Sequence, residues 1–335
     1  MALWKVVLLI FTLIFLFSCK NDPLKIDSSN IQLDVDYYNM DSTFIRSNGV
    51  ELAKWNAHYK ENIPEAYEFE LGMGLQLQNP DDTSVLRNIA LFAKDPFMVK
   101  YEEEIAKKFP SPIQFHQEIV LGLRNVKFHL VESKIPTAIV FANTCFQSSA
   151  FSTQNEIVIG LERYLGPTNP LIQQLPAEVF FQWIKEGMDE KYLSRDAVCS
   201  WIMSNVVELK EGTLAENMIN WGKVIYFTQA AFPEKPEEII IRYSAEDLKW
   251  AKENEFSLWD YLVKEKMLFR VNETESINML APGPFTVGLP EKGPDRLGQF
   301  LGWQMVRKYM EKNEVTLQQL QKTPYNKILQ AYEID

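Results

Sequence analysis

The chain opens with MALWKVVLLIFTLIFLFSC, in which one lysine precedes an apolar run from Val6 to Phe17. That run is shorter than the roughly 20 residues an untilted membrane-spanning helix needs. A basic start, a short apolar stretch and a small residue before the break describe a secretory signal peptide over residues 1–18. Its ending, Leu16-Phe17-Ser18-Cys19, has the form of a bacterial lipobox, in which Cys19 is acylated and becomes the mature N-terminus. Each buried methylene contributes about 0.8 kcal/mol, so several acyl chains hold a protein firmly to a bilayer. Residues 19–30 then read as the lipidated cysteine and a polar tether, and residues 31–335 as one mainly helical domain.

Beyond the tether, Ile31, Leu33, Val35 and Tyr37 alternate with polar neighbours, the period of a short strand. Leu52, Trp55 and Tyr59 share one side of a helical stretch over 50–67. Asp95-Pro96 and Ser111-Pro112 each set a capping residue before a first-turn proline, and predict helices through FMVKYEEEIAKKF and IQFHQEIVLGLRNVKFHL. The β-branched run from Ile135 to Phe141 predicts a buried strand, and Gln154–Ile159 predicts a second. Helices are predicted over 176–193, 195–210, 214–231, 244–268 and 295–311, and Ser244 with Asp247 has capping-box spacing. In the last of these, Leu297, Leu301, Met305 and Tyr309 form one apolar stripe, and Phe300, Trp303, Val306 and Met310 form another. A helix apolar on two faces is internal, and Gly298 and Gly302 on it allow a neighbouring backbone to come close. The expected class is α+β, predominantly α-helical with a small β-sheet.

Composition narrows the chemistry more than it reveals it. Acids outnumber bases by 45 to 34, giving a formal charge of −11 and arguing against nucleic acid as a partner. With three histidines, none of them three or four residues apart, the H-E-x-x-H zinc pattern is missing. His116-Gln-Glu118 has no P-C-x-x-C after it, so deaminase chemistry fails. The acidic stretch Asp34, Asp36, Asn39, Asp41 has tyrosine at 38 and lacks the glycine of a calcium loop. Neither a nucleophile elbow nor a phosphate-cradling glycine motif occurs, and Gly72-Met-Gly74 lacks its third glycine. Paired carboxylates need no rare residue, and Glu186, Asp189 and Glu190, followed by Glu208, Glu211 and Glu216, are the candidates for such a pair. Cys145 and Cys199 lie in apolar settings and read as buried small hydrophobes rather than a disulfide. No cofactor is implied.

The C-terminal third carries an ordered series: Asn220-Trp-Gly222-Lys223, the helix end AAFPEKP, Tyr243-Ser-Ala-Glu-Asp-Leu-Lys-Trp250, Asn254-Glu255, Ala281-Pro-Gly-Pro-Phe-Thr286, Gly293-Pro-Asp-Arg296-Leu-Gly298 and Gly302-Trp303-Gln304. With IPTAIVF, IVIGLERYLG and the lipobox, this series resembles the gliding-motility lipoprotein family GldB of Bacteroidetes. The resemblance covers most of the chain from about residue 30. It implies a lipid-anchored cell-envelope protein facing the periplasm, a membrane-bound component of the gliding and type IX secretion machinery with envelope protein partners. It also implies a distant likeness to zinc metallopeptidases. The matching helices here, around 176–208, contain no histidine, so a degenerate zincin-like architecture and a pseudoenzyme or scaffold role follow. The family supplies no catalytic residues to carry over.

The loop from Ala281 to Asp295, rich in proline and glycine, is long for a compact domain, and such loops are often functional. Pro282, Phe285, Thr286 and Arg296 are its candidate partner-binding residues. The alternatives to a non-catalytic scaffold are an envelope hydrolase working through Glu186 or Glu190, and a solute-binding lipoprotein with a concave aromatic pocket.

Overall fold

The computed structural model describes residues 22–74, 84–289 and 293–332. Cys19, and with it the expected lipid anchor, lies outside the described residues. The chain begins with β1 (Asp36–Asn39), α1 (Met40–Arg46), α2 (Gly49–Asn62), α3 (Pro64–Phe69) and a π-helical turn over Glu70–Gly74. It continues through α4 (Val85–Phe92), α5 (Pro96–Lys108), α6 (Ile113–His129), β2 (Ala138–Ala142), β3 (Ala150–Ser152) and β4 (Glu156–Gly160). A 3₁₀ turn at Leu161–Tyr164 leads to α7 (Pro170–Gln173), α8 (Gln182–Glu186), a second 3₁₀ turn at Glu190–Tyr192 and α9 (Leu193–Asn205). The remainder is α10 (Leu214–Ala231), α11 (Glu237–Ile241), α12 (Ala245–Glu253), α13 (Glu255–Lys264), α14 (Glu273–Leu280), α15 (Leu297–Lys312), α16 (Leu317–Lys322) and α17 (Tyr325–Gln330). The fold is α+β and mainly helical, around one four-stranded sheet of order β1-β2-β4-β3.

Strands β1, β2 and β4 run parallel, and β3 closes the edge antiparallel to β4. The two central strands are buried on both faces, which is why their sequences are continuous apolar runs rather than alternating ones. Side chains of successive strand residues point to opposite faces. Ile139, Phe141, Ile157 and Ile159 therefore enter the larger core, built with α6, α9, α10 and α15. Ala138, Val140, Ala142 and Val158 enter a smaller one against Met40, Tyr59, Ile63 and Tyr67 of the N-terminal helices.

Several expected boundaries move. The first strand was expected at 31–37 but pairs only from Asp36, where it first meets Ala138 of β2. The tether also differs. Leu24 is buried, Ser28 donates a hydrogen bond to Asn125 Oδ1 (2.6 Å), and Lys25 pairs with Glu234 (2.9 Å), so residues 24–30 lie on α6 and the end of α10. Ser111 makes no cap; α6 starts one residue after Pro112. Asp95 caps α5 as expected, accepting from the amides of Phe97 and Met98. The helix expected over 244–268 breaks at Asn254, whose side chain bonds back to the Trp250 carbonyl. The one expected over 176–193 also breaks, because Asp189 is drawn into a bridge with Leu165 and the Gly187 carbonyl is taken by Arg242.

The tightest packing lies between α10 and α15. A Cβ on Gly302 would overlap the Met218 carbonyl, and one on Gly222 would overlap the Gly302 carbonyl. Backbone meets backbone here, and Trp303, Phe300, Leu301 and Met305 fill the space around the crossing.

At the carboxyl ends of β2 and β4 three carboxyl groups sit in the interior. Glu70 comes from the π turn, Glu102 from α5 and Glu162 from the turn after β4. Cys145 and Phe146 adopt left-handed backbone conformations, and their amides turn inward to Asn143 Oδ1 (3.0 Å) and Glu162 Oε1 (2.9 Å). The side-chain amide of Asn143 donates to Glu102 (2.9 Å). The Thr144 hydroxyl has one hydrogen but lies 2.7 Å from the Ser148 carbonyl and 2.6 Å from Glu162 Oε1. Both contacts are satisfied when Glu162 carries a proton. Burial pushes Glu162 up to about 7 and raises Glu102. It drives Glu70 well above the usual range, with Glu162 and Glu102 adding their repulsion.

Two predictions follow from this packing. Gly302→Ala should destabilise the protein by roughly 3 kcal/mol or more, because a backbone carbonyl cannot move aside as a flexible side chain can. A urea unfolding midpoint equal to wild type would contradict the close crossing. The second concerns pH. Glu162 has a higher pKa folded than unfolded, so its stabilising contribution is complete below about 4.5 and is lost as pH rises through about 7. Unfolding free energy should fall between pH 5 and pH 8, and Glu162→Gln should remove on the order of 3 kcal/mol of that fall. An unchanged slope in the variant would show that Glu162 is ionised in the fold.

Candidate functional site

A cleft of about 740 Å³ opens where the turn after β4, α8, the α11–α12 junction and the loop before α15 converge. Behind it lies the buried Asp196, in the first turn of α9, which holds the lining residue Arg242. Asp196 accepts from the Tyr164 hydroxyl (2.9 Å), from Arg195 Nη1 (3.3 Å) and from Arg242 Nη1 (2.7 Å). Both members of the Arg195–Asp196 pair are buried, so each charge relies on the other and on added hydrogen bonds. Arg195 finds its second acceptor in the Ile240 carbonyl (2.7 Å).

Arg242 and Arg296 are shaped by backbone as much as by charge. Arg242 ends α11 in the left-handed region, which turns its guanidinium back over the Tyr192 ring (4.4 Å) and onto the Gly187 carbonyl (2.6 Å). Arg296 is left-handed too, immediately before α15. Its guanidinium grips Asp295 at 2.8 and 3.1 Å and donates to the carbonyls of Ile241 (3.2 Å) and Arg242 (2.9 Å). The Tyr243 hydroxyl donates to the Asp295 carbonyl. These bonds tie the residues just before α15 to the end of α11 along one wall of the cleft.

Of the four loop residues singled out from the sequence, Pro282 and Arg296 line this cleft. Thr286 faces inward, accepting from the Leu297 amide (3.1 Å) and donating to the Pro294 carbonyl (2.8 Å), which ties the loop to the start of α15. Phe285 is partly exposed beside it. Residues 290–292 of the same loop lie outside the described residues.

The candidate carboxylates do not converge. With the helix broken at Gly187, Glu190 turns to Lys108 (3.2 Å) and Asp189 to Lys191 (3.4 Å), while Glu186 stays on the cleft rim. Glu208 and Glu216 border a separate groove of about 890 Å³, where Glu208 pairs with Lys210 (2.6 Å). Lys223, in that groove, donates to the Thr323 carbonyl (2.6 Å), and burial lowers it to about 8. The larger groove thus offers internally satisfied charges, whereas in the arginine cleft Arg163 is bonded only to neutral groups among the described residues. Among the described residues, no group of three or more His, Cys, Asp and Glu side chains is placed to hold a metal ion. Cys145 and Cys199 do not form a disulfide. His116 is packed, against the Val35 carbonyl (3.0 Å) and the Tyr37 ring.

The residues that sequence reading missed are Arg163 and Arg242, which line the cleft, and Asp196 behind them. One signal was available: Arg195-Asp196 interrupts the otherwise apolar helix LSRDAVCSWIM, and a charge pair inside such a run must be paired within the fold. What the cleft can do chemically is hold an anion. Arg163, Arg242 and Arg296 line the cleft, and of these Arg242 and Arg296 have carboxylates, Asp196 and Asp295, within ion-pair distance.

No curated protein and no solved structure matches the chain. A family model does: the one described as gliding motility protein GldB matches residues 21–333. That match spans nearly the whole chain, including β1, both cores, the arginine cleft and the loop that closes it, and the chain therefore belongs to the gliding motility protein GldB family.

Proposed function

We propose that this protein is a lipid-anchored cell-envelope component that supports gliding motility through contact rather than turnover, as part of the gliding and type IX secretion apparatus. The observation that carries this reading is the arginine cleft: a charged recess in which, among the described residues, no nucleophile is paired with a base, inside a family named for gliding. Family membership supports the envelope setting, and the lipobox at Cys19 supports the mode of attachment. Among the described residues, no helix is long and apolar enough to cross a membrane. Five residue steps separate Cys19 from the buried Leu24, a reach of at most about 18 Å, so an acylated Cys19 keeps the body against the bilayer. The cleft and the loop carrying Pro282, Phe285, Thr286 and Arg296 then form the partner-facing surface.

Cys19→Ala should abolish incorporation of labelled palmitate and release the protein from the membrane fraction. Unchanged membrane retention would contradict lipid anchoring. Deletion in a gliding host should stop colony spreading, and purified protein should cleave none of a panel of peptides and peptidoglycan fragments. Turnover of any of these would favour the hydrolase instead.

A further inference from the structure

We infer that the cleft recognises a single carboxylate on a peptide of mixed charge, with Arg163 as the residue that binds it. This rests on the contact role proposed above and names the chemistry of the partner. Most cations lining the cleft already have counterions. Arg242 has Asp196 (2.7 Å), Arg296 has Asp295 (2.8 Å) and Lys191 has Asp189 (3.4 Å). Arg163 has none within ion-pair distance among the described residues. Its Nε donates to Ser149 Oγ (3.2 Å) and its Nη1 to the Phe146 carbonyl (3.2 Å), while the Phe180 ring lies 5.9 Å from its centre. These neutral contacts fix its direction and leave Nη2 without a hydrogen bond among the described residues.

Glu162, beside it in the chain, makes its hydrogen bonds with Thr144 and the Phe146 amide in the interior, so it attracts Arg163 without forming an ion pair with it. Arg163 instead faces the cleft, which it shares with Arg242. A guanidinium stays charged in proteins and donates in a fixed fork, so a half-buried one without a counterion is an anion site.

The rim decides which anion. Glu186, Glu238 and Asp247 border the same opening. Three carboxylates there repel a dianion or a polyanion, and they attract an amine or a basic side chain next to the bound carboxylate. Trp183 adds an apolar wall, and the volume falls within the 300–1,000 Å³ typical of ligand sites. Positive floor, negative rim and an aromatic wall fit a short peptide segment with a free carboxylate and a neighbouring cation.

The test uses the full chain in detergent on an array of random octapeptides with free carboxyl termini, and on the same array amidated. Binding should concentrate on sequences with a free or side-chain carboxylate near lysine or arginine, and fall when the only carboxylate is amidated. Acetate should compete better than inorganic phosphate. In titrations with the strongest peptide, Arg163→Met should weaken binding roughly tenfold or more, with Arg163→Lys in between. Equal binding of amidated peptides, stronger competition by phosphate, an unaffected Arg163→Met protein, or no binder at all would overturn the inference. The wild-type array and competition arms stand even if Arg163→Met fails to fold. A deletion strain that no longer spreads, together with a blank array, would remove this inference and leave the contact role intact.

Discussion

The crossing of α10 and α15 is the constraint on which the rest of the molecule depends. Gly222 and Gly302 bring the two backbones together with no side chain between them, so the angle and depth of α15 are fixed by main-chain contact. Fixing α15 fixes its first residue, and Arg296 stands immediately before it. From there Arg296 reaches the carbonyls of Ile241 and Arg242, so the end of α11 and the start of α15 become one rigid corner. Arg242 is set by that corner and reaches Asp196. Core packing is thus transmitted through two left-handed arginines to the floor of the cleft.

Two electrostatic arrangements sit back to back on the turn after β4. On one side Glu162, with Glu70 and Glu102, makes an interior of carboxyl groups whose hold on a proton burial strengthens. On the other, Arg163 faces the cleft and is bonded only to the neutral groups of Ser149 and Phe146 among the described residues. Left-handed Cys145 and Phe146 hold Glu162 inward by directing a backbone amide at it, a conformation that costs on the order of 1–3 kcal/mol per residue. Strain, buried acid and half-buried base meet at one turn of the chain.

Much of the architecture was legible in the sequence where a physical signal is local. Helix α10 runs over Leu214–Ala231 as read, because Thr213 caps it and Pro233 follows its end. The double apolar stripe of α15 identified an internal helix, and Gly302 on it marks the close approach. Strands β2 and β4 were visible as β-branched runs. What stayed hidden depends on partners far along the chain. The three-residue β3 is a strand only because β4 pairs with it. The break at Gly187 needs Arg242, 55 residues on, to claim its carbonyl. Arg163, Asp196, Arg242 and Arg296 carry no shared motif, so the cleft appears only when the fold assembles them; of these, the loop's proline and glycine content pointed to Arg296 alone.

The measurement that bears most directly on this account is colony spreading of a gliding host whose only copy of the gene encodes Arg163→Met. That strain should hold the protein at wild-type abundance in its membrane fraction and form a colony that does not spread. Wild-type spreading by that strain would contradict the claim that the protein acts through its arginine cleft.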